Sequence, residues 1–216
     1  ETIDFEEILS VGESDLADSN QAKTAVVVFV KTPGLSSLKT RLAKDLGKMK
    51  AESFHVLSCK KIEATLLQAQ INLGVSPYWA VAEEQALEHS LWSGFPVKLQ
   101  SSGGLGERLH HMYAHLKQEF EQIIFLGADT PQLSVQDLEE ALAALQKGCD
   151  FHLGYASDGG YYLFAGKSPL DKSLWTSIPY SVSETGQRFA KALKEQGRLS
   201  EAKKVYSDVD TVKEYS

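Results

Sequence analysis

From Thr24 onward, short apolar runs alternate with stretches whose apolar residues recur at helical spacing, and no Gly/Ser/Pro-rich linker or internal repeat breaks the alternation. This pattern predicts one compact α/β domain. The first run, Thr24–Val30, is rich in β-branched residues and lacks polar alternation, as expected of a central strand covered on both faces. Further strands are expected at Pro77–Ala82, Pro96–Gln100, Gln122–Gly127, Phe151–Ala156, Tyr161–Ala165 and Lys204–Ser207. Between them, Leu105, Leu109, Met112, Leu116 and Phe120 mark one amphipathic helix. Val135, Leu138, Leu142 and Leu145 mark another, opened by Ser134 with Asp137 three residues on as a capping-box pair. Both helices should lie on the sheet. Ligands of such a sheet bind outside the carboxyl ends of its strands, so the loops there are where chemistry is expected.

Composition narrows the classes. A 216-residue chain can bury about 70% of the surface that its unfolded form exposes, so a core needs no disulfide or structural metal. Cys59 and Cys149 are the only cysteines, and their separation matches neither a zinc site nor a disulfide framework. A reducing compartment, the cytoplasm, is the expected location. The longest apolar run, Ala25–Val30, is strand-sized and far short of the about 20 residues that cross a bilayer, so no membrane insertion is expected. The net charge of −7 is concentrated at one end: residues 1–23 hold seven acids and one base, leaving 22 acids and 21 bases elsewhere. A nearly neutral body offers no basic groove, which argues against nucleic-acid binding. Residues 1–23 are therefore expected to be an acidic N-terminal extension, either solvated or packed on the outside, preceding a domain of residues 24–216.

Five segments could carry chemistry. Lys31-Thr-Pro33-Gly34-Leu-Ser-Ser-Leu-Lys39-Thr-Arg41 runs from the central strand into a helix, placing three cations and loop amides where an anion such as phosphate binds well. It resembles a P-loop without the second glycine, and a plain turn with Lys39 and Arg41 on a solvated face is the alternative. Gly103-Gly104-Leu-Gly-Glu-Arg108 precedes a helix. Its glycines could admit a flat base or merely open that helix. Asp129 ends a buried-strand run and could hold a divalent cation against phosphate oxygens or close an Asx-turn. Asp158-Gly159-Gly160-Tyr161 reads first as a hairpin turn that could also line a site. Asp208 and Asp210 are two apart, so in extended chain both could face one cation; an exposed acidic tail is the alternative. His111 and His115 have helical spacing but lack the rest of a metal motif, and are expected to be solvated or half-buried.

Taken in order, Lys31-Thr-Pro-Gly…Lys39-Thr-Arg-Leu, Gly104-Leu-Gly-Glu-Arg-Leu, Gly127-Ala-Asp129-Thr-Pro, Ser157-Asp-Gly-Gly-Tyr-Tyr-Leu and Asp208-Val-Asp-Thr resemble a bacterial family of GT-A type glycosyltransferase-like and nucleotidyltransferase-like proteins. That group is similar to phospholactate guanylyltransferase and, more remotely, to molybdenum-cofactor guanylyltransferase. The resemblance implies a single-domain, three-layer αβα fold with a mostly parallel sheet. It also implies a nucleoside triphosphate or nucleotide sugar as substrate, and Mg²⁺ or Mn²⁺ as cofactor. By the same resemblance, Lys31, Pro33, Gly34, Gly103, Gly104 and Arg108 bind the nucleotide. Lys39, Arg41 and Asp129 carry the chemistry, Asp129 with Asp210 holds the metal, and Asp158, Gly159, Gly160 and Tyr161 face a small-molecule acceptor. The expected reaction is nucleotidyl transfer to a phosphorylated or carboxylated acceptor, whose attacking oxygen needs no general base. A glycosyltransferase, or a nucleotide-binding protein without turnover, is the alternative. Two carboxylates sharing an ion would repel each other without it, so neutralising either should leave the free protein's stability unchanged or slightly raised.

Overall fold

The computed structural model describes residues 23–207. Seven strands form one sheet: β1 (Thr24–Val30), β2 (Ser76–Val81), β3 (Val97–Leu99), β4 (Gln122–Gly127), β5 (Phe151–Tyr155), β6 (Tyr161–Gly166) and β7 (Leu199–Glu201). Their spatial order is β3-β2-β1-β4-β6-β5-β7, and only β6 runs against its neighbours. The expected central strand is central. Val26, Val28 and Val30 of β1 enter one core layer, and Ala25 and Val27 enter the other. A strand buried on both faces tolerates no polar alternation, which is why the run reads as continuously apolar.

Six α-helices are formed by the described residues: α1 (Thr40–Leu46), α2 (Lys48–Leu73), α3 (Leu105–Leu116), α4 (Val135–Gln146), α5 (Lys172–Ser177) and α6 (Thr185–Gln196). Helices α2 and α4 bury Cys59, Ile62, Leu66, Leu138 and Leu142 against one face of the sheet. Helices α3, α5 and α6 bury Met112, Tyr113, Trp175 and Phe189 against the other. The three-layer αβα arrangement expected from the sequence is therefore present. No helix among the described residues is long and apolar enough to cross a membrane.

Several expected strands move by one residue at an end, and two elements change more. The helix of Leu105–Phe120 stops at Leu116, and Phe120 reaches the same core through a closing turn in which its N–H bonds to the Leu116 carbonyl at 2.9 Å. The strand expected at Lys204–Ser207 contributes only one bridge, Tyr206 to Ala156, because Leu199–Glu201 takes the edge of β5 instead.

The segment after β7 is tied down by Asp137, as the capping box predicted in part. The Asp137 Oδ2 accepts from the Ser134 N–H at 2.8 Å and the Ser134 hydroxyl at 2.7 Å. The same carboxylate accepts from the Tyr206 hydroxyl at 2.9 Å and the Lys204 ammonium at 3.2 Å. Burial opposes the charge of Asp137, but the Ser134, Tyr206 and Lys204 donors outweigh it and hold the carboxyl below the usual carboxylate range. Stability from this group is therefore fully present above the unfolded carboxyl pKa and is lost as pH falls through the lower folded one. Asp137→Asn is expected to cost about 1–3 kcal/mol at neutral pH. Urea melts of both proteins between pH 7 and pH 3 check this, and the difference should shrink toward the acid end.

Candidate functional site

The chain runs from β1 outward through β2 to β3, then returns to place β4 on the other side of β1. The crevice beyond the carboxyl ends of β1 and β4 is thus a topological switch point, where open α/β sheets bind ligands. Phe29 and Gly127 are in register there, and a Cβ at Gly127 would meet nothing within 4 Å, so the floor of the crevice is open.

The loop after β1 forms one wall. Pro33 and Gly34 are the central residues of a tight turn in which the Leu35 N–H bonds to the Thr32 carbonyl at 3.1 Å, with Gly34 at φ 82°. Proline followed by a left-handed glycine is the chemistry of a type II turn. Beyond the turn Lys39 points inward: its side chain is only 3% exposed, and its ammonium lies 3.0 Å from Asp129 Oδ1 just after β4. Lys39 holds the left-handed conformation with φ 44°, an uncommon state for a residue with a side chain. Ser181, at φ 64°, is the other such residue among those described. Both line the crevice. Strain stored at two positions around one cavity points to a functional site.

Behind this pair lies His55 of α2, a residue that no sequence motif marked. Its Nε2 sits 3.0 Å from the Lys31 carbonyl, and its Nδ1 3.8 Å from Asp129 Oδ1. Burial works against ionising Asp129, but His55 and Lys39 overcome it and hold the carboxyl below the usual range. Cys59, one turn along α2, has its sulfur 3.6 Å from His55 Nε2. Burial, followed by the Asp129 charge, pushes its thiol up to about 12, so Cys59 is a neutral packing group, not a nucleophile.

The crevice has two connected halves that share Phe29, Leu105, Gly127, Asp129 and Ser181. The half toward β1 and β2 encloses about 430 Å³ and is lined by Lys31, Lys39, His55, Gln100 and Arg108. Gln100 is fixed by its amide, which donates to the Ala80 carbonyl at 2.8 Å. Arg108 is oriented by a 2.9 Å bond from Nε to the Gly103 carbonyl. The half toward β6 encloses about 330 Å³ and is lined by Asp158, Gly160, Tyr161, Tyr162 and Tyr180, among others.

The structure therefore gathers Lys31, Lys39, Arg108, Asp129, Asp158, Gly160 and Tyr161 around one cavity. Other expected residues lie elsewhere. Arg41 is exposed on α1 and, like Pro33, Gly34, Gly103 and Gly159, does not line the crevice. The Gly103-Gly104 pair opens α3, with the Gly104 N–H bonded to Glu107 at 3.1 Å, and Gly104 borders a separate depression beside Lys172. Asp158-Gly159-Gly160 is a hairpin turn, closed by the Gly159 N–H on the Ala156 carbonyl at 3.1 Å and the Gly160 N–H on Asp158 at 2.8 Å. Asp208 and Asp210 lie outside the described residues. The chain reaches them from Ser207, whose carbonyl accepts from Gln132 at 3.1 Å and whose hydroxyl pairs with Ser157 at 3.1 Å. No group of three or more potential metal-ligating side chains occurs among the described residues.

Residues 63–182, more than half of the chain, match the model of a protein family described as "Uncharacterized protein conserved in bacteria (DUF2064)". The chain belongs to this family. The matched region includes Arg108, Asp129 and the Asp158 turn, whereas the Lys31–Lys39 loop precedes it. No curated protein matches the chain. Among solved structures, a candidate nucleotide-diphospho-sugar transferase from Desulfovibrio desulfuricans G20 is similar, with a TM-score of 0.76 at 23% identity over 88% of this chain and 84% of that one. A cytidylyltransferase from Leptospira borgpetersenii serovar Hardjo-bovis (strain JB197) follows at 0.56, 14%, 90% and 84%. A nucleotidyl transferase from Methanothermobacter thermautotroptrophicus gives 0.55, 15%, 89% and 94%. At these identities the likeness is one of fold, and it is the GT-A, nucleotide-diphospho-sugar transferase fold expected from the motifs.

Proposed function

We propose that this member of the DUF2064 family is a metal-assisted transferase that takes a nucleoside triphosphate as donor and transfers a nucleotidyl group. One observation carries the reading: Lys31, Lys39 and Arg108 converge with Asp129 on one open half-crevice at the switch point of the sheet. Cations at this density with a single facing carboxylate match a polyphosphate and its counter-ion better than any neutral ligand. The fold likeness to a cytidylyltransferase and a nucleotidyl transferase supports the same choice.

The residues fit Mg²⁺ or Mn²⁺. Asp129 Oδ1 is buried against Lys39 while the side chain as a whole is 40% exposed, so the remaining oxygen is the one that faces the crevice. A cation held by one or two carboxylates and by substrate phosphates is the usual arrangement for magnesium. Asp210, which lies outside the described residues, is our second candidate ligand from the sequence. When bound, the metal would supply Lewis-acid neutralisation of charge on the phosphates. Lys39 and Arg108 would orient the phosphate chain and stabilise the charge that develops on the leaving group. His55 would hold the Lys31 carbonyl and Asp129 in place from behind. Glycosyl transfer from a nucleotide sugar is the second reading, favoured by the ring-lined half of the crevice, which could seat a sugar.

Titration of the full chain with the common nucleoside triphosphates and nucleotide sugars, with and without Mg²⁺ or Mn²⁺, tests the proposal. A triphosphate that binds only with metal supports it, and absence of binding by every nucleotide overturns it. Lys39→Ala should weaken the binding of that triphosphate by about 10- to 150-fold, the equivalent of roughly 1.5–3 kcal/mol for a charged hydrogen bond. Because Lys39 is buried and ion-paired, not solvated, the variant should also melt lower than the parent.

A further inference from the structure

The two halves of the crevice differ in charge, and the difference names the chemistry of the acceptor. The half toward β1 and β2 has Lys31, Lys39 and Arg108 in its wall. The half toward β6 has no lysine, arginine or histidine among its described lining residues, and its charged groups are Asp129 and Asp158. Ring faces supply much of the rest. Phe29 packs edge-on against Phe125 with centroids 5.1 Å apart, and Tyr161 rests on Phe189 at 5.1 Å. Two of the lining hydroxyls are committed elsewhere. Tyr180 donates to the Trp175 carbonyl at 2.9 Å, and Thr185 to the Pro179 carbonyl at 2.7 Å.

We propose that the β6 half of the crevice takes a neutral or cationic acceptor with a ring or alkyl face, and that Asp158 excludes phosphorylated and carboxylated compounds. This rests on the reading of the other half as the donor site. It departs from the anionic acceptor expected from the sequence. Asp129 is already paired with Lys39, so the uncompensated charge of this half is Asp158; an anion placed there would lose water beside that carboxylate with no lysine, arginine or histidine in the described lining to replace it, and like charges juxtaposed in a cleft are disfavoured. A hydroxyl or ammonium group instead finds a carboxylate acceptor in Asp158, while its carbon skeleton lies against the rings. Asp158 lies at the exposed rim of this half, and hydrogen bonds of its turn fix its orientation. Its Oδ1 accepts from the Gly160 N–H at 2.8 Å, and the Gly159 carbonyl of the same turn accepts from the Gly186 N–H at 2.8 Å.

Four compounds that share one ring and differ in charge test this: benzylamine, benzyl alcohol, benzoate and benzyl phosphate. Their binding to the full chain is measured by saturation-transfer NMR titration, with and without magnesium and the donor triphosphate. Benzylamine and benzyl alcohol should bind at least about tenfold more tightly than the two anions. Asp158→Asn keeps an oxygen for the Gly160 N–H and removes the charge, so it should narrow that gap by about three- to tenfold. Asp158→Lys should reverse the order, and thermal melts of both variants identify any loss of folding. Benzoate or benzyl phosphate binding as well as the alcohol would overturn the proposal. So would an order unchanged in the folded Asp158→Asn variant, or no binding by any of the four. The donor reading stands or falls on the nucleotide titration alone, whatever these compounds do.

Discussion

Asp129→Asn is expected to abolish the metal-dependent part of nucleotide binding and, at the same time, to lower the stability of the free protein. The first effect follows from the small number of ligands: a magnesium ion held by one or two protein carboxylates loses much of its site when one is neutralised. The second reverses the expectation from sequence, in which two acids repel and neutralising one costs nothing. In the structure the near neighbours of Asp129 are the Lys39 ammonium at 3.0 Å and the His55 ring at 3.8 Å. Lys39 is 3% exposed, so the variant leaves a buried cation facing an amide. Removing one partner of a fully buried pair typically costs about 3–5 kcal/mol. Here the carboxylate is 40% exposed and partly screened, and the asparagine oxygen can still accept from Lys39, so about 1–2 kcal/mol is expected. Calorimetric titration with and without magnesium measures the first effect, and urea melts the second. If Asp210 shares the ion, Asp210→Asn should remove the same metal-dependent binding, and the double variant should lose no more than either single one. Metal-dependent affinity that survives Asp129→Asn would remove Asp129 from the centre of the site.

Gly159→Ala should be the most damaging glycine-to-alanine change among the described residues. Gly159 has φ 90°, and a Cβ built there would overlap the Ser183 carbonyl oxygen and lie 2.5 Å from its carbon. Both atoms are backbone, and the Gly186 N–H bond to the Gly159 carbonyl at 2.8 Å holds the two segments together. The clash can be relieved only by separating the hairpin turn from the start of α6. The expected loss is about 3–5 kcal/mol, which lowers the melting temperature by roughly 10 °C in a domain of this size. Gly34→Ala is the control. It has nearly the same φ, 82°, but nothing lies within 4 Å of its would-be Cβ, so only the conformational cost of about 1 kcal/mol is expected. Similar melts for the two variants would show that left-handed strain, and not the contact with Ser183, dominates at Gly159. Because Asp158 and Gly160 flank this position, a folded Gly159→Ala protein should also bind acceptor probes less well.

Features determined within a few residues of each other are present in the sequence. The unbroken apolar run of β1 follows from burial on both faces, Ser134 and Asp137 cap their own helix, and Asp158-Gly-Gly makes its own turn. The Gly127-Ala-Asp129 segment announced a strand end carrying a carboxylate, and the order of the motifs announced the fold family. Features that depend on which strand lies beside which were hidden. Lys39 reads from sequence as a loop cation, facing either a phosphate or solvent; that it is buried against a carboxylate is decided only when β4 is placed next to β1 and brings Asp129 to it. His55 reads as one more inward position of a long helix; its contacts with the Lys31 carbonyl and Asp129 exist only once α2 is laid across the ends of those strands. The edge of β5 went to Leu199–Glu201 and not to Lys204–Ser207, since strands of such length have similar local preferences and the choice falls to tertiary contacts, here Lys204 and Tyr206 held by Asp137. The charge division of the crevice is the same kind of property. Cations from the β1 loop and α3 meet on one side of Asp129, rings from β4 and β6 meet on the other, and no local pattern encodes that separation because it arises from the order of strands in the sheet.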